Sequence, residues 1–249
     1  ISAFCTSKFQ KMLWTNRIFC GMIKDSVYLR DRQMRNLGGI KSMRKVVKFG
    51  GSSLASAEQF KKVGDIIRAD KGRKYVVPSA PGKRFDGDIK VTDMLYACYA
   101  KAEKKEDITA SIAAIRERYM EIINGLGLSL SLDDQFEVIS ENFKKLAGSN
   151  YAASRGEYLN GIIMANYLGY EFIDAAEVIV FHEDGTFDAE KTNEKLSARL
   201  AECDNAVIPG FYGATAEGKV TTFSRGGSDI TGSLIAKAVH ADLFENWTD

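Results

Sequence analysis

Two pairs of adjacent glycines, each beside a charged residue, are the features of this sequence best suited to chemistry. The first lies in residues 48–53 (Lys-Phe-Gly-Gly-Ser-Ser), directly after a short apolar run. Consecutive glycines let backbone N–H groups approach an anion without obstruction by a Cβ, and the helix expected next adds its positive end. Lys48 supplies a point charge for phosphate oxygens, although a Walker A loop places its lysine after the glycines. The pattern predicts an anion site; a plain strand-to-helix turn with an exposed lysine is the alternative.

The second pair lies in residues 224–231 (Ser-Arg-Gly-Gly-Ser-Asp-Ile-Thr), which are also expected to join a strand to a helix. Arg225 offers a bidentate fork suited to a carboxylate. Ser228 is placed to cap the helix, and Asp229 falls in its first turn, where interaction with the helix dipole could by itself explain an acid. Two such loops in one chain predict two anionic groups bound near each other.

Further polar residues follow other predicted elements. Ser79 comes after the second strand, and Thr92 begins the next helix, which it could simply cap. Glu157 is expected to open an apolar helix, where it would complement the dipole or hold a substrate ammonium group. Thr248 and Asp249 follow the final strand. Ligands of open α/β sheets bind at the carboxyl ends of strands, so these side chains are candidates for one crevice.

The elements that must position these residues alternate between strands and helices. Apolar periodicity predicts helices over residues 56–70, 92–104, 107–123, 133–147, 152–168, 189–201 and 228–240. Strands are predicted over 44–49, 75–77, 171–174, 177–181, 205–208 and 242–247, with a hairpin formed by 211–213 and 219–223. Strands separated by helices indicate an α/β fold, with a largely parallel sheet covered on both faces.

Composition excludes several classes of protein. The 249 residues contain two histidines and four cysteines without Cys-x-x-Cys spacing, which argues against a multi-histidine metal site, a zinc ribbon or a disulfide scaffold and favours a reducing compartment. No apolar run reaches the ~18 residues that a membrane-spanning helix needs. We therefore expect a cytoplasmic protein that binds no membrane.

The net charge of +1 divides unevenly. Residues 1–42 hold eight basic and two acidic side chains, a charge of +6, whereas residues 43–249 carry 26 basic and 31 acidic side chains, a charge of −5. The basic segment could be an organellar transit peptide, or an arm for nucleic acid or anionic lipid. We favour a third interpretation, in which Met43 is the true start. Residues 1–42 are then an extension outside the fold, and residues 43–249 form one domain, expected to continue past Asp249.

The motifs at residues 48–53, 79–80, 156–157, 225–229 and 247–249 occur together in an order and spacing that resembles the catalytic domain of aspartokinases, within the amino acid kinase superfamily. The resemblance covers residues 43–249. It implies a three-layer α/β/α sandwich with a mainly parallel sheet, above whose strand ends aspartate and MgATP meet. The family continues past the position of Asp249 with more of the nucleotide site and regulatory ACT domains.

The resemblance also implies roles for individual residues. Lys48 and Asp229 would be catalytic, and the cofactors would be ATP and Mg²⁺, with no protein residue assigned as a metal ligand. ATP would contact Lys48, Phe49, Gly50, Gly51, Thr248 and Asp249. Aspartate would contact Ser79, Thr92, Glu157, Arg225, Ser228 and Asp229.

The implied reaction is phosphorylation of the side-chain carboxylate of L-aspartate to 4-phospho-L-aspartate, the first step of lysine, threonine and methionine biosynthesis. Its partners would be L-aspartate and ATP, with no nucleic acid, and the full-length protein would be a homo-oligomer. Two alternatives stay open. One is a glutamate or acetylglutamate kinase of the same superfamily, and the other is a catalytically silent nucleotide-binding subunit.

Overall fold

The computed structural model describes the backbone of residues 10–14 and all of residues 43–224 and 226–248. The strands of this part are β1 (Gln10–Trp14), β2 (Lys45–Phe49), β3 (Arg73–Pro78), β4 (Glu171–Phe172), β5 (Ala206–Val207), β6 (Tyr212–Ala214), β7 (Val220–Thr222) and β8 (Leu243–Thr248). The helices are α1 (Ala57–Arg68), α2 (Val91–Glu103), α3 (Thr109–Leu126), α4 (Asp133–Lys144), α5 (Ser149–Leu168), α6 (Ala175–Val178), α7 (Ala189–Ala201) and α8 (Gly227–Ala238).

Six strands form the central sheet, in the order β1-β8-β2-β3-β5-β4. Every neighbouring pair is parallel except β1 with β8. The strands β6 and β7 form a separate antiparallel hairpin, as predicted. Central strands rich in β-branched residues suit a sheet that is buried on both faces, and the mainly parallel arrangement predicted from the alternation of elements is confirmed.

Two cores lie on opposite faces of the sheet. Because successive strand residues point to opposite faces, Val47 and Phe49 pack into the core formed with α1–α5, whereas Val46 packs into the core that includes residues of α6, α7 and α8. The predicted three-layer α/β/α sandwich is therefore confirmed.

Two local predictions are wrong. Residues 177–181 do not form a strand, because α6 occupies residues up to Val178, with the carboxylate of Asp174 accepting a hydrogen bond from the Ala176 N–H at its start. Glu157 does not open a helix, since α5 begins two turns earlier at Ser149. Gly156 fits inside this helix because a Cβ there would lie only 2.8 Å from the Cβ of Ala80. In a sequence, a glycine often indicates a helix boundary, but here Gly156 allows α5 to pack closely against Ala80.

Part of the basic extension contributes a strand. β1 pairs antiparallel with β8, with Gln10 opposite Thr248 and Trp14 opposite Phe244. The other residues of the extension lie outside the described part of the chain, so the exclusion of those residues from the domain stays a prediction. Among the described residues, no helix combines the length and apolar character needed to cross a bilayer.

Candidate functional site

The segments that leave the carboxyl ends of β2, β3 and β8 begin side by side. The Gly50 N–H donates to the Trp247 carbonyl at 2.9 Å, and the Ser79 N–H donates to the Phe49 carbonyl at 3.1 Å. A Cβ built on Gly50 would lie 3.4 Å from Thr248 Oγ1, which places the Thr248 hydroxyl against the first glycine pair. Parallel pairing thus brings together residues that are up to about 200 positions apart in sequence.

Lys48 and Asp229 form an ion pair at this edge. Lys48 Nζ lies 2.9 Å from Asp229 Oδ1, and Asn246 Nδ2 donates to the same oxygen at 3.1 Å. Asn246 is the register partner of Lys48 on β8, which explains why both side chains reach the first turn of α8. The Lys48 side chain is 10% exposed and that of Asp229 is 46% exposed. A largely buried cation whose carboxylate partner faces solvent can exchange that partner for an anionic ligand.

The first glycine pair packs against the turn after β3. The Gly82 N–H donates to the Gly51 carbonyl at 2.8 Å, and a Cβ on Gly51 would lie 2.7 Å from the carbonyl oxygen of Ala80. Any side chain at Gly51 would therefore push the two loops apart. Phe49 is fully buried and its ring stacks on Trp247, so its side chain is not available to a ligand.

The helix after this glycine pair starts within one residue of its predicted position. A 3-10 turn of Ser52–Leu54 intervenes, and α1 begins at Ala57 with Ser56 as its cap. The helix predicted over residues 56–70 is therefore confirmed as α1. Because the 3-10 turn separates its first residue from Gly51, the Gly51 amide and the charge of Lys48 supply the positive potential at the loop itself.

The second glycine pair begins with a left-handed residue. Gly226 has a φ of 60° and occupies the N-cap position of α8, a conformation that favours glycine. Ser228 therefore falls in the first helical turn, and the prediction that it caps α8 is wrong. Its Oγ instead accepts a hydrogen bond from Ser79 Oγ at 3.2 Å. Two residues predicted to contact substrate are thereby brought together. Arg225 and Asp249 lie outside the described residues.

Glu157 is a buried acid with spare hydrogen-bonding capacity. Burial raises the pKa of its carboxyl from 4.5 to about 7, against the lowering effect of the Ala80 N–H. Its Oε2 has no hydrogen-bond partner among the described residues. Thr92 lies beside the same turn of α5, since a Cβ on Gly156 would be 3.7 Å from Thr92 Oγ1. Thr92 does not cap α2, whose N-cap residue is Lys90.

Two asparagines of the site were not predicted from the sequence. Asn160, one turn after Glu157, donates from Nδ2 to the Ser79 carbonyl at 2.7 Å, while its buried Oδ1 has no partner among the described residues. Asn246 contacts Asp229 as described above. Neither asparagine stands in a glycine motif, so only its place in the fold reveals it. Glu157 Oε2 and Asn160 Oδ1 are two buried acceptors without a donor in the described part of the chain, and they suit a ligand that donates, such as an ammonium group.

Comparison with known proteins agrees with this geometry. The model of the amino acid kinase family matches residues 43–249. Aspartokinase 3 of Bacillus subtilis is 40% identical over 221 residues, which cover 82% of this chain and 48% of that protein. The lysine-sensitive aspartokinase 3 of Escherichia coli is 29% identical over 225 residues, with the same two coverages.

Solved structures show the same fold. The aspartate kinase of Clostridium acetobutylicum superposes with a TM-score of 0.80 at 52% identity, covering 83% of this chain and 48% of that one. Aspartokinase III of E. coli, in complex with aspartate and ADP, superposes with a TM-score of 0.68 at 26% identity. The superposition covers 83% of this chain and 49% of that one. The chain spans about half the length of these relatives. Since the family model covers every residue from Met43 to the last, this chain belongs to the amino acid kinase family.

Proposed function

We propose that this chain catalyses transfer of the γ-phosphoryl group of ATP to the side-chain carboxylate of L-aspartate, giving 4-phospho-L-aspartate and ADP. The observation that carries the proposal is the Lys48–Asp229 ion pair, which lies at the edge of the sheet where the two glycine pairs and the Ser79 turn converge. The similarity to an E. coli enzyme solved with aspartate and ADP favours this pair of substrates over others.

The phosphate site would consist of Lys48 and the N–H group of Gly51, with Gly50 allowing close approach of the phosphates, since the Gly50 N–H already donates to the Trp247 carbonyl. The γ-phosphate would replace Asp229 as the partner of Lys48, which needs little movement because Asp229 faces solvent. An oxygen of the aspartate carboxylate forms a bond to the γ-phosphorus while the bond to the bridging oxygen of ADP breaks. No proton moves, since a free aspartate side chain, with a pKa near ~3.9, is already ionised. Rate acceleration then comes from positioning and charge stabilisation.

The acceptor site would hold aspartate through its charged ends. Glu157 Oε2, buried and without a donor in the described region, would accept from the substrate ammonium group. Arg225 would bind a carboxylate as a bidentate partner, and Ser79 and Ser228 already share a hydrogen bond at the same edge. Thr92, beside the Glu157 turn, completes this set.

The nucleotide would extend from Gly50 towards Thr248 and Asp249. Mg²⁺ bound to ATP keeps its phosphate oxygens and several waters and needs only one or two carboxylates from the protein. Asp229 fits that requirement, as a half-exposed carboxylate beside Lys48. The ion would neutralise charge on the transferring phosphoryl group. Among the described residues, no cluster of three or more potential metal-binding side chains forms a separate metal site.

An assay of ADP release with L-aspartate, L-glutamate or no acceptor tests the proposal. We expect release that depends on aspartate and is abolished by removal of Mg²⁺. If ADP is released with glutamate but not with aspartate, the acceptor would be glutamate. ATP binding without release on any acceptor would instead indicate a silent nucleotide-binding subunit. The matched control is Lys101→Ala, an exposed lysine on α2 outside the site, which should keep full activity.

The biological setting is part of the same proposal. A kinase with this acceptor would open a route to amino acids of the lysine, threonine and methionine group. Cys98 and Cys203 are free thiols, which is compatible with a reducing cytoplasm. We also propose that the functional protein is a homo-oligomer. Light scattering of the purified protein would measure its mass directly.

A further inference from the structure

A buried arginine on α3 holds the loop between β3 and α2. Arg118 is 5% exposed, and its Nη2 donates to the Gly82 carbonyl at 3.0 Å. Its Nη1 donates to the Ile89 carbonyl at 3.0 Å and lies 3.1 Å from Asp88 Oδ2. One guanidinium therefore contacts both ends of the loop formed by residues 82–89.

The residue that Arg118 holds also contacts the first glycine pair. The Gly82 carbonyl accepts from Arg118, while its N–H donates to the Gly51 carbonyl at 2.8 Å. The two backbones are in close contact here, because a Cβ on Gly82 would lie 2.7 Å from the Gly51 carbonyl carbon. A shift of Gly82 would therefore move Gly51.

We propose that Arg118 is a positioning residue for the glycine loop, acting through Gly82 to orient the Gly51 amide towards the ATP phosphates. This inference rests on the proposed function, because it deepens the account of the nucleotide site. Arg118 itself touches neither substrate.

A purely structural role would not require this residue type. A guanidinium loses its hydration on burial, and this desolvation lowers the pKa of Arg118. Its Nε also has no hydrogen-bond partner among the described residues. An apolar side chain would fill such a position without these penalties, but it could not bond Gly82 and Ile89 at the same time.

Arg84 supplies a matched control within the same loop. Its guanidinium bonds both carboxylate oxygens of Asp88 and also contacts Glu121, but no bond joins it to Gly82. Removing Arg84 thus weakens the loop without cutting the link to Gly51. Arg116, an exposed residue on α3 that pairs with Asp133, is a second control for changes of charge on that helix.

The test compares Arg118→Met, Arg118→Lys, Arg84→Met and Arg116→Met in the purified protein. The measured quantities are the Kd for ADP by calorimetry, the KM for ATP and for aspartate, and the melting temperature. For Arg118→Met we expect the ADP Kd and the ATP KM to rise about tenfold, with the aspartate KM within twofold of wild type. Arg118→Lys, which has a single ammonium group in place of the fork, should raise both nucleotide constants about threefold. The other two variants should stay within twofold.

Three results would overturn the inference. One is a similar loss of ADP affinity in Arg118→Met and Arg84→Met, and another is a lower melting temperature with unchanged nucleotide constants. The third applies if Arg118→Met does not fold: Arg118→Lys then tests the inference, and wild-type ADP affinity in that variant would overturn it. Because ADP binding needs no acceptor, the outcome is separate from the proposed reaction. A protein that binds ADP but does not phosphorylate aspartate would refute the reaction alone.

Discussion

Strands β2 and β8 contribute to two clusters of charged and polar side chains, which differ in how completely their hydrogen-bonding atoms are bonded. The Glu245 cluster, formed by Lys45, Arg73 and Glu245, lies on the sheet face that also carries Val47. The Lys48 cluster, formed by Lys48, Asp229 and Asn246, lies on the opposite face below α8.

In the Glu245 cluster both carboxylate oxygens are bonded. Glu245 is fully buried, and its Oε2 accepts from Arg73 Nε at 2.9 Å and from Trp247 Nε1 at 3.0 Å. Its Oε1 accepts from Arg73 Nη2 at 3.4 Å and lies 3.7 Å from Lys45 Nζ. In the Lys48 cluster, Asp229 is half-exposed, and the buried Asn246 Oδ1 has no partner in the described region. A closed set of bonds maintains one structure, whereas an open set can take up a ligand.

The largest expected effect is the loss of stability in Glu245→Ala. The change leaves Arg73 buried without its carboxylate, which should lower the free energy of unfolding by about 3–5 kcal/mol. Urea denaturation measures this change, and Lys74→Ala, whose partner Asp204 is exposed, is the matched control. The KM values of the protein that remains folded should not change. A loss below about 1 kcal/mol would refute the structural role of this cluster.

Lys48→Ala should instead impair catalysis while leaving stability nearly unchanged, the opposite of Glu245→Ala. We expect kcat to fall about 10²-fold or more, because the charge that faces the transferring phosphoryl group is lost. The melting temperature should change little, since Asp229 is free to turn to solvent. Steady-state kinetics at saturating aspartate and ATP measures the effect. Unchanged turnover would remove Lys48 from the phosphate site.

Glu157 should make both substrate binding and stability depend on pH. Its folded pKa of about 7 exceeds the ordinary value of 4.5, so protonation favours the folded state. The stabilisation is complete below pH 4.5 and is lost as the pH rises through 7. Glu157→Gln should therefore be more stable than wild type by about 3 kcal/mol at pH 8, with the difference disappearing near pH 4.5.

The binding effect of Glu157 has the opposite pH dependence. A substrate ammonium group needs the ionised carboxylate, so the wild-type KM for aspartate should rise as the pH falls below 7. In Glu157→Gln the KM should be high at every pH. A flat KM profile in the wild-type protein would separate Glu157 from the ammonium group.

The smallest effect is expected for Asn246→Ala. The change removes one of the two side-chain contacts on Asp229 Oδ1 and leaves the ion pair with Lys48, so we expect kcat to fall about tenfold. Asn142→Ala, which removes a similar bond to Tyr151 away from the site, should leave kcat unchanged. Equal effects in the two variants would show that Asn246 has no special part in the Lys48 cluster.

Local pattern alone was enough for much of the fold. The helix predicted over residues 189–201 matches α7 at both ends, and the hairpin around Gly218 forms as predicted. Apolar periodicity and turn residues encode such elements within a few positions. Residues 177–181 were misjudged as a strand, because an Asp174 cap competed with a short apolar run.

The glycine pairs, Lys48 and Asp229 were identifiable as candidates from residue type and spacing, because the chemistry of an anion site demands them. Only the tertiary structure decided which charged side chains pair with each other. Lys45 and Lys48 lie on one strand three positions apart, yet their side chains emerge on opposite faces. Lys45 therefore pairs with Asp70 beside Glu245, whereas Lys48 pairs with Asp229. Asn246, Asn160 and Arg118 likewise act on partners at least 17 residues away. Such pairings depend on strand order and helix packing, which no local pattern specifies.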